Sequence, residues 1–257
     1  MRILLGFFLL VTGCRKVAPI ASSAAPIDLE REYQDGKTEL GLGRLSEAIA
    51  HFEHIAKETP DPMLRANAWL ALGSAYADKK DPPAALATFE KLVALRPDDP
   101  DAWRVLTVAA EEAKQDRRQM EALERLIALE PDDLKSYLDL AGLKATHGDI
   151  EGSKKIYLAY ERERSNAVMA LGKSTTAEDR AAAAASLASA KDVATARALV
   201  LGLTDRAREV RLACARSLAE IGAGIDKEIA TAVKAAAEKE SDPEVRAALS
   251  AADAPGK

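Results

Sequence analysis

The apolar positions of the chain return in a fixed order, and nowhere do Val, Ile, Thr and Tyr alternate over the length of a strand. The series Trp69-x-x-Leu72-Gly73-x-x-Tyr76, Ala85, Phe89, Pro97 is followed by Trp103-x-x-Leu106, Leu123, Pro131, with 103 − 69 = 34 and 131 − 97 = 34. A further copy carries Tyr137, Leu140, Ala141, Gly148, Ile150 and Tyr157, since 137 − 103 = 34. Upstream, Tyr33, Gly36, Leu40, Gly43, Ala48, Phe52, Ile55 and Pro60 form an earlier copy, which Met63 to Arg65 separate from the next. The intervening sequence is rich in Ala, Leu, Glu, Lys and Arg, which lose little rotamer freedom in a helix, so helices and almost no β-sheet are predicted. Pro60, Pro97 and Pro131 each predict a helix end, because proline lacks an amide proton and clashes with the preceding turn.

This period with these residues resembles the tetratricopeptide repeat, whose unit is a pair of antiparallel helices. The resemblance implies an all-α fold, an α-solenoid of antiparallel helix pairs, with units at 29–62, 66–99, 100–133 and 134–167. Small residues such as Gly36, Gly73, Ala48 and Ala85 would let the two helices of a unit approach, and Trp69 and Trp103 take equivalent inter-helix places. Four positions depart from the pattern. Gln119 and Ser153 stand where Ala is usual, Thr107 where a smaller residue is preferred, and Ser165 where Pro is expected.

By the same resemblance, the second, fifth, ninth and twelfth positions of each unit line a concave groove. Among those positions are Tyr33, Lys37, Leu40, Asn67, Leu70, Ser74, Ala77, Asp101, Arg104, Val108, Glu111, Lys135 and Leu138. The candidate partner-binding residues are Tyr33, Lys37, Leu70, Ser74, Asp101, Arg104, Val108, Glu111 and Leu138, a mixture of apolar and charged groups that suits a peptide or helix. The Lys/Asn/Arg set of the subclass that grips a C-terminal carboxylate is not among them.

Beyond about residue 165 this repeat pattern stops. Gly172 offers a helix C-cap, and Thr175-x-x-Glu178 reads as a capping box opening a new helix. The strings Glu209-Val210-Arg211 and Glu244-Val245-Arg246, with 245 − 210 = 35, resemble the HEAT-like repeat, another solenoid of helix pairs, over residues 176–253. That resemblance implies that Arg211 and Arg246 support stacking between repeats. The plainer alternative is an Ala-rich helical cap. Cys214 shares a helical face with Val210, Leu218 and Ile221, so a buried thiol is expected.

At the other end, Ile3 to Val11 is apolar apart from Gly6, too short to span a bilayer and suited to the h-region of a signal peptide over 1–13. Val11-Thr12-Gly13-Cys14 resembles the lipobox of bacterial lipoproteins. The resemblance implies cleavage before Cys14, a diacylglyceryl thioether on its sulfur, and a further acyl chain such as palmitate on its new amino terminus. Arg15, where Asp would favour inner-membrane retention, implies an outer-membrane protein facing the periplasm, with the Ala-, Ser- and Pro-rich stretch within 14–28 as its tether.

With 36 Lys and Arg against 41 Asp and Glu, the chain has no basic excess to meet a phosphate backbone, and nucleic acid is not an expected partner. No nucleophile–base pair or phosphate-cradling loop is visible, so neither an enzyme, a small-molecule substrate nor a cofactor is expected. His51 and His54 lie one helical turn apart but lack a third ligand nearby in sequence, and no metal site is expected. The expected function is a membrane-anchored protein-interaction scaffold, with outer-membrane, pilus or secretion-complex assembly as the process it would serve. The alternatives are an enzyme-maturation or lyase-like factor using the HEAT-like segment, and a structural spacer.

Overall fold

The computed structural model describes residues 28–252; the leader, Cys14 and the tether up to residue 27 lie outside the described residues. Among those described, the chain forms thirteen α-helices and no strand. They are α1 (Leu29–Gly41), α2 (Leu45–Glu58), α3 (Pro62–Asp78), α4 (Pro82–Leu95), α5 (Pro100–Glu112), α6 (Asp116–Leu129), α7 (Leu134–Thr146) and α8 (Ile150–Lys173). The remainder are α9 (Ala177–Ser186), α10 (Val193–Gly202), α11 (Arg208–Ile221), α12 (Lys227–Lys239) and α13 (Pro243–Ala252).

Local chemistry sets most of these bounds. Asp61, Asp81, Asp99, Asp133 and Asp149 cap α3, α4, α5, α7 and α8, each carboxylate accepting a backbone N–H of the first turn. Helices α2, α4 and α6 end at Glu58, Leu95 and Leu129, each two residues before Pro60, Pro97 or Pro131. Proline bars the residue before it from helical geometry, and Thr59, for example, is extended at ψ 130°. The turn inside each unit repeats as well. Its left-handed position is held, once per unit, by Gly43, Lys80, Lys114 and Gly148, with φ of 72°, 63°, 54° and 80°.

Successive helices pack against one another from α1 to α8, and α9, α11 and α13 then lie side by side with α10 and α12 in a second layer. Leu72, Leu106 and Leu140, which hold the same place in three successive units, are all buried. Phe52 of α2 packs over Gly36 of α1, where a Cβ would meet its ring at 2.8 Å, and Phe89 of α4 covers Gly73 of α3 more closely still. Trp69 and Trp103 are only half-buried: the Lys91 ammonium sits 4.4 Å from the Trp69 ring centroid, and Trp103 Nε1 donates to the Pro97 carbonyl at 2.8 Å.

The hydrophobic interior is divided. One cluster joins α1 to α3, a second joins α3 to α6, and a third runs from Leu134, Tyr137 and Tyr160 of α7 and α8 through to Ala252. The fourth helix pair therefore shares its core with the C-terminal segment. Helix α8 also runs past residue 167, because Ser165 leaves its backbone free where a proline would stop it. Gly172 lies inside α8 instead of capping it, and the next helix is capped by Thr176, whose Oγ1 accepts from Asp179 N at 3.0 Å, one residue beyond the predicted Thr175.

In the C-terminal segment, Arg180, Arg211 and Arg246 are each the fourth residue of their helices, α9, α11 and α13. Each reaches back to the carbonyl six residues upstream: Arg180 Nη1 donates to Ser174 at 3.0 Å, Arg211 Nη1 to Asp205 at 3.1 Å, and Arg246 Nε to Glu240 at 3.0 Å. Arg180 also grips Asp205 through Nε and Nη2 at 2.7 and 3.0 Å, and Arg211 grips Glu240 at 2.8 and 3.2 Å. These arginines hold the turns between helices. Asp205 and Glu240 are consequently kept below the usual carboxylate range by hydrogen bonds from Arg180 and Arg211.

A carboxylate depressed in the folded state contributes stability above its unfolded pKa and loses it as pH falls through the folded value. The C-terminal segment should thus weaken as pH drops below roughly 4, the ordinary carboxylate value. An acid titration followed by amide exchange should find α9 to α11 opening with a steep pH dependence in wild type. That dependence should be shallower in Arg180→Met; equal slopes would contradict the role given to the clasp.

Candidate functional site

Of the first helices of the units, α3 and α5 bring some of their predicted inner positions together. Between α3 and α5 they enclose a cavity of about 320 Å³, walled by Ser74 and Ala77 of α3, Phe89 of α4, and Arg104, Val105 and Val108 of α5. Asp78, Ala109 and Glu112 complete its lining. Four positions assigned to the groove from the sequence, Ser74, Ala77, Arg104 and Val108, therefore meet in one concavity. Val108 is 53% exposed and presents an apolar surface to any occupant. The Ser74 hydroxyl is already committed, donating to the Leu70 carbonyl at 2.9 Å.

Arg104 is not a free cation. Its Nη1 lies 2.7 Å from Asp101 Oδ1, and its Nη2 bonds Glu130 and lies 4.0 Å from Asp133 Oδ2. Because Glu130 and Asp133 belong to the turn between α6 and α7, the side chain works as a strut from α5 to that turn. Arg104→Glu would set four carboxylates together and disturb the turn, so it is a poor probe of partner binding.

The remaining predicted positions are dispersed. Leu70 is exposed one turn before Ser74, and Asp101 and Glu111 are exposed on α5 outside the cavity lining. Tyr33 of α1 is half-buried against Phe52, ring centroids 5.7 Å apart, with the Lys37 ammonium 5.9 Å from its own ring centroid. Leu138 of α7 belongs to a different cleft of about 480 Å³, shared with Tyr157, Tyr160 and Arg164 of α8 and with Asp192 before α10.

His51 and His54 of α2 both turn to Glu32 of α1, their Nδ1 atoms 3.3 and 2.9 Å from its carboxylate oxygens. No group of three or more His, Cys, Asp or Glu placed to hold a metal ion occurs among the described residues. Cys214 is buried, its thiol pushed up to about 12 by desolvation. No helix among the described residues is long and apolar enough to cross a membrane.

With α3 and most of α5 forming the walls and α4 the floor, the repeat that builds the groove can be compared with known families. Residues 39–109 match the tetratricopeptide repeat family. The tetratricopeptide segment thus contains the cavity up to Ala109. No curated protein matches the chain. Among solved structures, MamA from Desulfovibrio magneticus RS-1, from residue 41 to its end, is similar at 23% identity over 54% of this chain and 77% of that one, with a TM-score of 0.43. The TPR-like repeats of a kinesin light chain from Podospora anserina are similar at 19% identity over 75% of this chain and 95% of that one, with a TM-score of 0.41.

Five lining residues fall outside the four positions read from the sequence: Asp78, Phe89, Val105, Ala109 and Glu112. A signal for the two acids was present. Each directly follows the twelfth position of its unit, and 112 − 78 = 34 is the repeat period itself.

Proposed function

We propose that this chain is a membrane-anchored, non-enzymatic protein-interaction scaffold that takes a partner segment in the concavity between α3 and α5. The observation that carries the reading is this apolar recess, open to solvent and framed by Val108, Ala77 and Phe89, within the tetratricopeptide segment. Stacked helix pairs offer such a surface without any moving part. The anchor is the lipid on Cys14, where two or more acyl chains at about 0.8 kcal/mol per buried methylene hold a protein stably on a bilayer. The scaffold stands at the outer membrane, facing the periplasm, where it serves assembly of an outer-membrane, pilus or secretion complex. The HEAT-like segment from residue 176 extends the scaffold.

Two substitutions in the native cell test the two halves of this reading. A photo-crosslinking residue at Val108 should form adducts with a discrete partner, while the same residue at Arg117, 90% exposed on α6, should not. Equal adducts at both positions would remove the groove from the account. Cys14→Ser should abolish fatty-acid labelling and release the protein from membranes; unchanged label and pelleting would exclude the lipid anchor.

A further inference from the structure

The charges that line the α3–α5 cavity are unbalanced once internal pairs are counted. Its cation, Arg104, is held by Asp101 and Glu130, with Asp133 at 4.0 Å. Its two carboxylates, Asp78 and Glu112, are exposed and form no ion pair among the described residues. They occupy the same place in neighbouring units, at the ends of α3 and α5, so they stand on one rim. Lys79, Lys80 and Lys114 lie in the turns just beyond, and none lines the cavity. The wall below the rim is apolar, with Ala77, Val105, Val108 and Ala109, and its one hydroxyl is spent on the Leu70 carbonyl.

We infer that the groove selects a cationic apolar segment of a partner protein, an aliphatic side chain entering the recess with a Lys or Arg beside it meeting Asp78 and Glu112. This deepens the proposed function and rests on its placement of the partner in this groove. An anionic segment would face two carboxylates and find no free cation in the cavity lining, while a neutral one would gain only the apolar contact. Like-charge rejection on the rim thus sets which segments enter, and the apolar wall supplies the affinity common to them.

The test uses the full chain and three short labelled helical peptides with identical leucine positions, their polar positions being all Lys, all Gln or all Glu. Fluorescence anisotropy should rank them Lys, Gln, Glu, with the Lys peptide bound about fivefold or more tightly than the Gln peptide at low ionic strength, since each rim pair contributes modestly. Added salt should erode that preference. The double variant Asp78→Asn/Glu112→Gln should abolish it. Glu220→Gln/Glu238→Gln, which removes two exposed acids from α11 and α12, should leave it within about twofold, since neither residue lines the cavity.

Val108→Ser, a change at an exposed position, should weaken all the peptides that bind. Equal binding of the Lys and Gln peptides, both weakened by Val108→Ser, would overturn the cationic selection and leave the groove standing. A Lys preference that survives Asp78→Asn/Glu112→Gln would assign it to the net charge of −5 and overturn the inference. Absence of saturable binding by every peptide would overturn it as well, and crosslinking at Val108 would then decide the groove itself.

Discussion

Phe52→Ala is expected to lower stability by about 3–5 kcal/mol, the range for deleting a fully buried aromatic side chain. The ring is completely buried, fills the space above Gly36 and meets Tyr33 at 5.7 Å between centroids. It joins α1 to α2, and the cluster it belongs to extends only as far as α3. A solenoid is held mostly by nearest-neighbour contacts, so the loss should appear first as opening of α1 and α2, with α9 to α13 keeping their protection. Denaturant unfolding followed by amide exchange would show this. A midpoint no lower than that of Tyr157→Ala, where the side chain is 49% exposed, would contradict the register. Trp69→Ala should cost less than Phe52→Ala, because the indole is half-exposed and shared between two clusters.

The second large effect concerns Gly73. A Cβ there would collide with the Phe89 ring, and Phe89 is itself buried, so Gly73→Thr should destabilise by about 1–3 kcal/mol through overpacking. The next unit supplies the remedy. At the equivalent positions it carries Thr107 and Leu123, both buried, so a larger residue on one helix is matched by a smaller one on the other. Adding Phe89→Leu to Gly73→Thr should therefore recover part of the loss. A double-mutant cycle should give a favourable coupling of about 1 kcal/mol or more. Strictly additive costs would show that the two positions do not compensate.

This pair also shows how far the sequence could be read. The departure at Thr107 is visible in one dimension, but its harmlessness depends on which side chain faces it. Gln119 and Ser153 are similar cases. Gln119 is buried in the place of a usual Ala, and the Ser153 hydroxyl donates to the Ala141 carbonyl at 2.8 Å, so neither substitution breaks the packing of its unit. The groove was half legible. Ser74, Ala77, Arg104 and Val108 follow from register alone, whereas the engagement of Arg104 was hidden, since its partner Glu130 lies beyond the whole of α6 in sequence.

The sequence by itself determined the helices, their ends and the register of the repeat. Those features depend on short-range physics: an aspartate caps the amides two or three residues on, a proline forbids the turn before it, and one small and one large residue fix how closely two consecutive helices pack. Tertiary structure alone decided which charges are spent and where the core divides. Periodicity assigns a residue to a face but says nothing of what another element brings to that face. Thus Arg104 meets the α6–α7 turn, Leu138 opens on a separate cleft, Arg180 clasps Asp205 without the Val-Arg pair that marks Arg211 and Arg246, and the fourth helix pair joins the C-terminal core. Each outcome rests on contacts between elements, whose energies depend on three-dimensional distance and not on position along the chain.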